Sequence, residues 1–168
     1  MKKAIIALMA LTLVSCSGQS DNGKPDTLSP ELTACIELDN GISADVIRSE
    51  DGSWDYTLTA PETAAGAGIS YLSDGICVIS MGEHSTVYDR DKLPQYGVLD
   101  LASSAIDSCI NGTGVTVEVV NGKTVRTGSV RGVSFTLTSG QGSPEQLTLS
   151  TGETAAFKQP VSETEQSD

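Results

Sequence analysis

Hydrophobic and polar residues alternate with a period of two over most of the chain from Glu31 to Lys158. The first run places apolar side chains at every second position, namely Leu32, Ala34, Ile36 and Leu38. Successive side chains of a β-strand point to opposite faces, so this pattern predicts strands with one apolar and one polar face. Asn-Gly and Asp-Gly pairs between the runs are typical of hairpin turns. The chain is therefore predicted to form about eleven short strands joined as a meander of hairpins.

The predicted strands follow the alternation, with turn residues between them. Pro61 ends the third strand because proline cannot donate a hydrogen bond to a sheet. The strands are predicted over residues 32–38, 42–48, 54–60, 68–72, 76–81, 85–88, 115–120, 124–127, 130–138, 146–150 and 154–158.

One segment, residues 98–110, departs from the period of two. Its apolar residues recur at steps of three and four, which predicts an amphipathic helix with one apolar stripe. Asn111-Gly112 is a typical C-terminal stop. The stripe consists of Val98, Leu99, Ala102, Ala105, Ile106, Cys109 and Ile110.

The apolar face of so many strands is too large for one helix to cover. Nine or more strands, ~4.8 Å apart, would make a flat sheet about 40 Å wide, whereas a helix is ~10 Å across. The sheet must therefore curl around the helix, close on itself, or leave an apolar concavity for a ligand. We expect a mainly β fold with one principal helix, in which a strongly curved antiparallel sheet forms an unclosed half-barrel around that helix.

The N-terminus carries the pattern of a secretory signal peptide. Lys2 and Lys3 precede an apolar run, residues 4–14, that spans about 16 Å as a helix and is too short to cross a membrane. The following Leu13-Val14-Ser15-Cys16 resembles the bacterial lipobox. That resemblance implies cleavage before Cys16, acylation of its thiol, and attachment to the extracytoplasmic face of a membrane in the bacterial cell envelope; the alternative is ordinary signal cleavage with a chance cysteine.

Composition divides the chain into four parts. Residues 1–15 are the predicted signal peptide, and residues 16–30 are the predicted lipidated cysteine and flexible tether, rich in Ser, Gly, Asn, Asp and Pro. Residues 31–158 are the predicted β domain, and residues 159–168 are a predicted disordered acidic tail.

The negative net charge of the chain restricts the classes of partner that it can bind. Cleavage removes two of the 10 basic residues and changes the formal net charge from −12 to −14. So acidic a surface repels nucleic-acid phosphates and anionic lipid headgroups. We therefore expect no nucleic-acid partner, and we expect membrane attachment to rest on acyl chains.

The order of elements resembles the LolA/LolB superfamily of lipoprotein carriers. The likeness rests on YTLTAP at residues 56–61, GISYLSDGICVIS at 68–80, the mid-chain helix, and GSPEQLTLSTGETAAFKQ at 142–159. It implies an unclosed β-barrel whose concave face holds acyl chains beneath a helical lid that includes Val98, Ala102 and Ile106. The implied lining consists of Trp54, Tyr56, Leu58, Ile69, Tyr71, Ile76, Val78, Val133, Phe135, Leu137, Leu147 and Phe157.

Two features bear on that resemblance. The period of two alone assigns the same residues to an ordinary core, and a lipid anchor fits the anchored branch of the superfamily better than its soluble carriers. Arg48, at the end of an early strand, has two interpretations: a latch for the helical lid, as the family resemblance implies, or a solvated strand end.

Three cysteines, Cys35, Cys77 and Cys109, remain in the domain, and their spacings match no zinc motif. An odd number excludes a complete set of intramolecular disulfides. A pair between Cys35 and Cys77 is one alternative, and three free thiols are the other.

Catalytic and metal-binding patterns are weak. His84 is the only histidine, and its neighbours Glu83 and Ser85 are adjacent on a strand, where side chains point to opposite faces and cannot form a relay. Asp89 and Asp91 lack the remaining ligands of a Ca²⁺ loop. We predict no enzyme activity, no cofactor and no metal.

The sequence thus predicts a lipid-anchored extracytoplasmic binding protein that accommodates an acyl chain, a lipoprotein or another apolar ligand. The alternative is a non-catalytic cell-surface interaction or sensor module whose core is filled by its own side chains, with an unidentified envelope protein as partner.

Overall fold

A computed structural model describes residues 23–92 and 97–160. The predicted signal peptide, Cys16 and the chain from residue 161 onward lie outside the described residues. Eleven strands and one α-helix follow in the order β1 (Leu32–Leu38), β2 (Ser43–Arg48), β3 (Trp54–Ala60), β4 (Gly68–Tyr71), β5 (Ile76–Met81), β6 (His84–Asp89), α1 (Val98–Asn111), β7 (Thr116–Val120), β8 (Lys123–Val130), β9 (Val133–Gly140), β10 (Ser143–Leu149) and β11 (Thr154–Lys158).

All strands belong to one antiparallel, curved and unclosed sheet, as the sequence predicted. Their order is β6-β5-β4-β3-β2-β1-β11-β10-β9-β8-β7. The first and last strands are neighbours at the centre, so β6 and β7 form the two edges of the described sheet. Helix α1 connects these two edges and contacts β8 and β9. The expected fold class, a mainly β half-barrel with one principal helix, is confirmed.

Turn chemistry fixes the registers of the hairpins. Gly41 has a φ of 86°, and the Ile42 N–H donates to Asn40 Oδ1 at 3.1 Å, as expected for the Asn-Gly turn. The turn at Arg131-Gly132 was not predicted, because arginine is an uncommon residue for its φ of 50°. The sequence therefore assigned Val130 to β9, whereas it ends β8 and pairs with Val133 across the turn.

Helix α1 follows the predicted boundaries closely. Gly97 precedes it without a side-chain cap, and Gly112 ends it in the left-handed conformation with φ 65°. Its predicted stripe is buried at Leu99, Ala102, Ala105 and Ile106. Each fully buried large apolar side chain contributes about 1.5–3 kcal/mol. The same helix also buries Asp100 and Ser103.

Residues 23–30 cross the sheet as an ordered segment, which we call the strap. Leu28 is 4% exposed, and the Ser29 N–H donates to the carbonyl oxygen of Gly142 at 3.0 Å. Asp26 forms an ion pair with Arg126 of β8 at 2.9 Å. The prediction of a flexible tether reaching Pro30 is therefore wrong for the strap, because polar side-chain contacts hold a segment that has few apolar residues.

The three cysteines of the described residues are free thiols. Cys35 pairs with Asp45 and Lys158 on one face of the sheet, whereas Cys77 pairs with Tyr71 on the other. The alternative of a Cys35–Cys77 disulfide is thereby excluded in this fold. Within the described part of the chain, no helix is long and apolar enough to cross a membrane.

Candidate functional site

The predicted lining residues fall mainly on the concave face, the face that α1 covers. Residues paired directly across strands project to the same side of a sheet. One such row runs Arg48–Trp54–Tyr71, and the next includes Tyr56 and Ile69. The same reasoning assigns to this face the remaining predicted residues Leu58, Val133, Phe135, Leu137, Leu147 and Phe157.

Two predicted lining residues, Ile76 and Val78, lie on the opposite, convex face. Val78 pairs with Ser70 and Val87, whereas Cys77 pairs with Tyr71 and Ile79 pairs with Ile69. The prediction was wrong because residues 76–79 are all apolar, so alternation cannot identify the inward face. The concave face of β5 is formed instead by Cys77, Ile79 and Met81.

Most of the concave face is filled by the protein itself. Trp54 and Leu137 are 0% exposed, and the lid residues Ala102 and Ile106 are 0% and 2% exposed. The Trp54 and Tyr56 rings stack with centroids 6.0 Å apart. The centre of the face is therefore a packed core beneath α1.

A hydroxyl contact joins this core to the helix. The Tyr56 hydroxyl lies 2.7 Å from Ser103 Oγ, which also donates to the Leu99 carbonyl at 2.9 Å. Burial raises the pKa of Tyr56 far above its usual value, so its hydroxyl stays protonated.

Arg48 joins β2 to the helix. Its Nε donates to Asp107 Oδ1 at 2.8 Å, and Trp54 Nε1 donates to the same carboxylate at 3.2 Å. Arg48 Nη1 also donates to the Pro30 carbonyl of the strap. Because Arg48 is only 6% exposed, the interpretation as a solvated strand end is wrong. Its contacts join the sheet, the helix and the strap.

A second ionic cluster centres on Asp100. Arg90 Nε donates to Asp100 Oδ1 at 2.5 Å, and Arg131 Nη1 donates to Oδ2. The Arg90 guanidinium lies 4.6 Å from the centre of the Tyr71 ring. This cluster was not predicted from the sequence. The signal that could have found it is the spacing of Asp100, Ser103 and Asp107, a polar stripe beside the apolar one.

Apolar side chains remain uncovered on the concave face near the β6 edge. We call Leu58, Ile69, Ile79 and Met81 the open row. Leu58 and Ile69 are partly buried against the core, whereas Ile79 is 40% exposed and Met81 is 54% exposed. Beside the row, Tyr88 of β6 is 41% exposed and pairs with Cys77. This face thus keeps apolar surface in contact with solvent.

Near the β7 edge, a cavity of about 360 Å³ lies between the strap and the end of α1. We call it the strap groove. It is lined by Leu28, Cys109, Ile110, Val117 and Arg126, together with residues 24–27. Burial raises the pKa of the Cys109 thiol to about 11, so Cys109 behaves as an apolar, protonated side chain.

A polar cavity of about 390 Å³ lies at the turn end of the sheet. Its charged lining comprises Arg48, Arg90, Glu50, Asp51 and Asp107. Since Arg48 and Arg90 are bound to Asp107 and Asp100, their charges are already compensated within the fold.

The weak catalytic and metal motifs are located on the surface. His84 is exposed on edge strand β6, opposite Met81. Asp89 forms an ion pair with Lys92 at 2.9 Å, and both side chains are exposed. Across residues 23–92 and 97–160, no group of three acidic, His or Cys side chains is arranged to hold a metal ion.

Comparisons with known proteins add no relative: no family model matches the sequence, and neither a curated protein nor a solved structure matches the chain.

Proposed function

We propose that this chain is a lipid-anchored extracytoplasmic binding protein that accepts an acyl chain or another apolar ligand on the concave face of its sheet. The observation that carries the proposal is the open row, where Ile79 and Met81 are 40% and 54% exposed within a concavity. Covering the exposed part of each side chain contributes about 1 kcal/mol. A ligand that lies along several of them gains a few kcal/mol from this burial.

The helix limits how far a ligand enters. Ala102 and Ile106 fill the centre of the concave face, so a ligand first binds beside α1, along the open row. Deeper entry requires α1 to move, which breaks the contacts of Asp107 with Arg48 and Trp54. We propose Arg48 as the latch that sets the cost of that movement.

The anchor is the second part of the proposal. The lipobox pattern at residues 13–16 supports acylation of Cys16, and the acidic composition supports attachment through acyl chains alone. Growth with an alkyne-tagged fatty acid tests this: the wild-type chain is labelled and a Cys16→Ser variant is not. Equal labelling of both chains contradicts the anchor.

Binding is tested with the Cys16→Ser chain, in which a cleavable export signal replaces residues 1–15 so that the secreted protein is neither acylated nor anchored. A fluorescent acyl probe is titrated into this protein and into an Ile79→Asn/Met81→Asn variant. We expect the variant to bind about tenfold more weakly, because two apolar contacts are lost.

The matched control for that experiment is Val87→Asn. Val87 is 63% exposed on neighbouring strand β6 but pairs with Val78 on the convex face. It should leave probe affinity unchanged. Absence of binding by the Cys16→Ser protein, or equal losses in Val87→Asn and the open-row variant, contradicts the proposed site.

The filled centre of the concave face favours a second candidate, a non-catalytic interaction or sensor module. Trp54 and Leu137 are completely buried by the protein's own residues. This candidate predicts that acyl probes do not bind and that the thermal stability of the delipidated protein is unchanged by added lipid. Either a saturable rise in stability or saturable probe binding rejects it.

A further inference from the structure

Arg126 is a buried cation on the concave face of β8, at the end of the sheet opposite the open row. It is 3% exposed, and a guanidinium in such a place requires charged or polar partners. Its Nη2 donates to Asp26 Oδ1 at 2.9 Å and to the Asp26 carbonyl, and its Nη1 donates to Ser139 Oγ. The charge partner thus comes from the strap, not from the sheet.

The groups around the Asp26 carboxylate form a recess of fixed donors. Ser139 Oγ donates to Oδ1 at 3.0 Å and the Gly142 N–H donates to Oδ2 at 2.9 Å. Together with Arg126, these donors belong to β8, β9 and the turn that follows β9. We call Arg126, Ser139 and Gly142 the carboxylate recess. The sheet supplies the recess, and the strap supplies its occupant.

Apolar surface adjoins the recess. Arg126 and Asp26 line the strap groove together with Leu28, Ile110 and Val117. The groove has a volume of about 360 Å³, within the range of small-molecule sites. Val117 is 43% exposed at the β7 edge. A cationic recess that continues into an apolar groove matches a ligand with a carboxylate head and an apolar chain.

We propose that the carboxylate recess and the strap groove form a binding site for a long-chain fatty acid, and that Asp26 occupies the recess as an internal competitor. The fatty-acid carboxylate takes the place of the Asp26 carboxylate on Arg126, Ser139 and Gly142. Its chain lies along Leu28, Ile110 and Val117. This second site rests on different residues from the open row and goes beyond the proposed function.

The rest of the strap stays attached when Asp26 is displaced. The Ser29 N–H remains bonded to Gly142 O, and Arg48 remains bonded to the Pro30 carbonyl. A tethered carboxylate competes at an effective concentration of about millimolar or higher. Its removal should therefore strengthen fatty-acid binding, by about tenfold if this effective concentration is about ten times the dissociation constant of the carboxylate for the recess.

The test uses the Cys16→Ser chain that also carries Ile79→Asn and Met81→Asn, so that binding at the open row does not obscure the result. Affinities for a saturated fatty acid and its methyl ester are measured by calorimetry, with and without Asp26→Ala. We expect Asp26→Ala to bind the acid about tenfold more tightly and to leave the ester unchanged. Adding Arg126→Gln removes the gain.

Equal affinities for acid and ester, or a gain that survives Arg126→Gln, overturn the carboxylate recess while leaving the open row untouched. If Asp26→Ala is unfolded, Asp26→Asn replaces it, because the amide loses the charge but keeps one oxygen acceptor, for either Arg126 or Gly142. The expected result is then a smaller gain with the same preference for acid over ester. Lack of that preference overturns the proposal.

Discussion

Arg48 and Asp107, 59 positions apart in the sequence, are joined by a 2.8 Å hydrogen bond that ties the central region of the sheet to helix α1. The Arg48 side chain is 6% exposed and that of Asp107 is 26% exposed. We expect Arg48→Met and Asp107→Asn each to lower the free energy of unfolding by about 1–3 kcal/mol, since each leaves a charged, largely desolvated partner. Urea unfolding measures the loss.

A double-mutant cycle separates the pair from its surroundings. The coupling free energy between Arg48→Met and Asp107→Asn should be about 1–2 kcal/mol. The matched control is the ion pair of Lys158 and Glu37, in which Lys158 Nζ lies 2.6 Å from Glu37 Oε2. Their side chains are 58% and 43% exposed. Its coupling should lie below about 1 kcal/mol. Equal coupling in the two cycles would show that Arg48 contributes no more than a surface ion pair.

Asp100 is the most deeply buried carboxylate of the helix, and two guanidiniums share it. Asp100→Asn keeps the shape but leaves Arg90 and Arg131 beside a neutral group. We expect a loss of about 3 kcal/mol or more in the free energy of unfolding. Asp91→Asn, an exposed carboxylate in the turn before α1, is the control and should change stability little. A loss below about 1 kcal/mol for Asp100→Asn contradicts the role of the cluster.

Asp26 of the strap should make the free energy of unfolding depend on pH. Burial raises the pKa of the Asp26 carboxyl, but hydrogen bonds from Gly142, Thr124, Arg126 and Ser139 outweigh burial and hold that pKa below its usual value. A lowered pKa means that the native state favours the ionised form, so Asp26 stabilises the fold fully above the unfolded-state pKa of about 4. The contribution is lost as the pH falls through the lower, folded-state pKa.

The measurement is the difference in free energy of unfolding between wild type and Asp26→Asn as a function of pH. The difference should be constant from about pH 5 to 7 and should shrink below about pH 4. A difference that grows as the pH falls contradicts the assignment. Asp45→Asn, which replaces an exposed carboxylate on the convex face of β2, serves as a surface control.

The sequence predicted the strands and the helix because both follow from periodicity. The side chains of β3 alternate strictly, and the stripe of α1 recurs at helical spacing, so the faces of these elements were assigned correctly. In β5 the apolar run has no alternation, and only pairing with β4 reveals that Cys77, not Val78, faces inward.

The polar contacts could not be predicted from the sequence, because they join residues that are far apart in the chain. Arg48 and Asp107 meet only after the meander curls around α1, and Arg126 meets Asp26 across 100 positions. The strap has the composition of a tether, because its attachment depends on hydrogen bonds rather than on apolar burial. The composition of a segment indicates how much apolar surface it can bury, but it does not indicate which polar side chains will pair.

The three domain cysteines offer a test of which face each strand presents. Cys77 is buried on the concave face, Cys109 lines the strap groove, and Cys35 lies on the convex face. Burial raises the pKa of all three thiols, so each is mainly the unreactive thiol at neutral pH. In the folded Cys16→Ser chain at pH 7, a thiol-specific reagent should label all three slowly.

Denaturation should expose three reactive thiols, even in protein prepared under oxidising conditions, because Cys35 and Cys77 lie on opposite faces and cannot pair. Mass spectrometry of the labelled, denatured chain counts them. Recovery of a single thiol, with a disulfide mapped to Cys35 and Cys77, would contradict the registers that place these two cysteines on opposite faces. Fast labelling of Cys77 in the folded chain would instead show that the core beneath α1 opens, since burial raises its pKa in the closed fold.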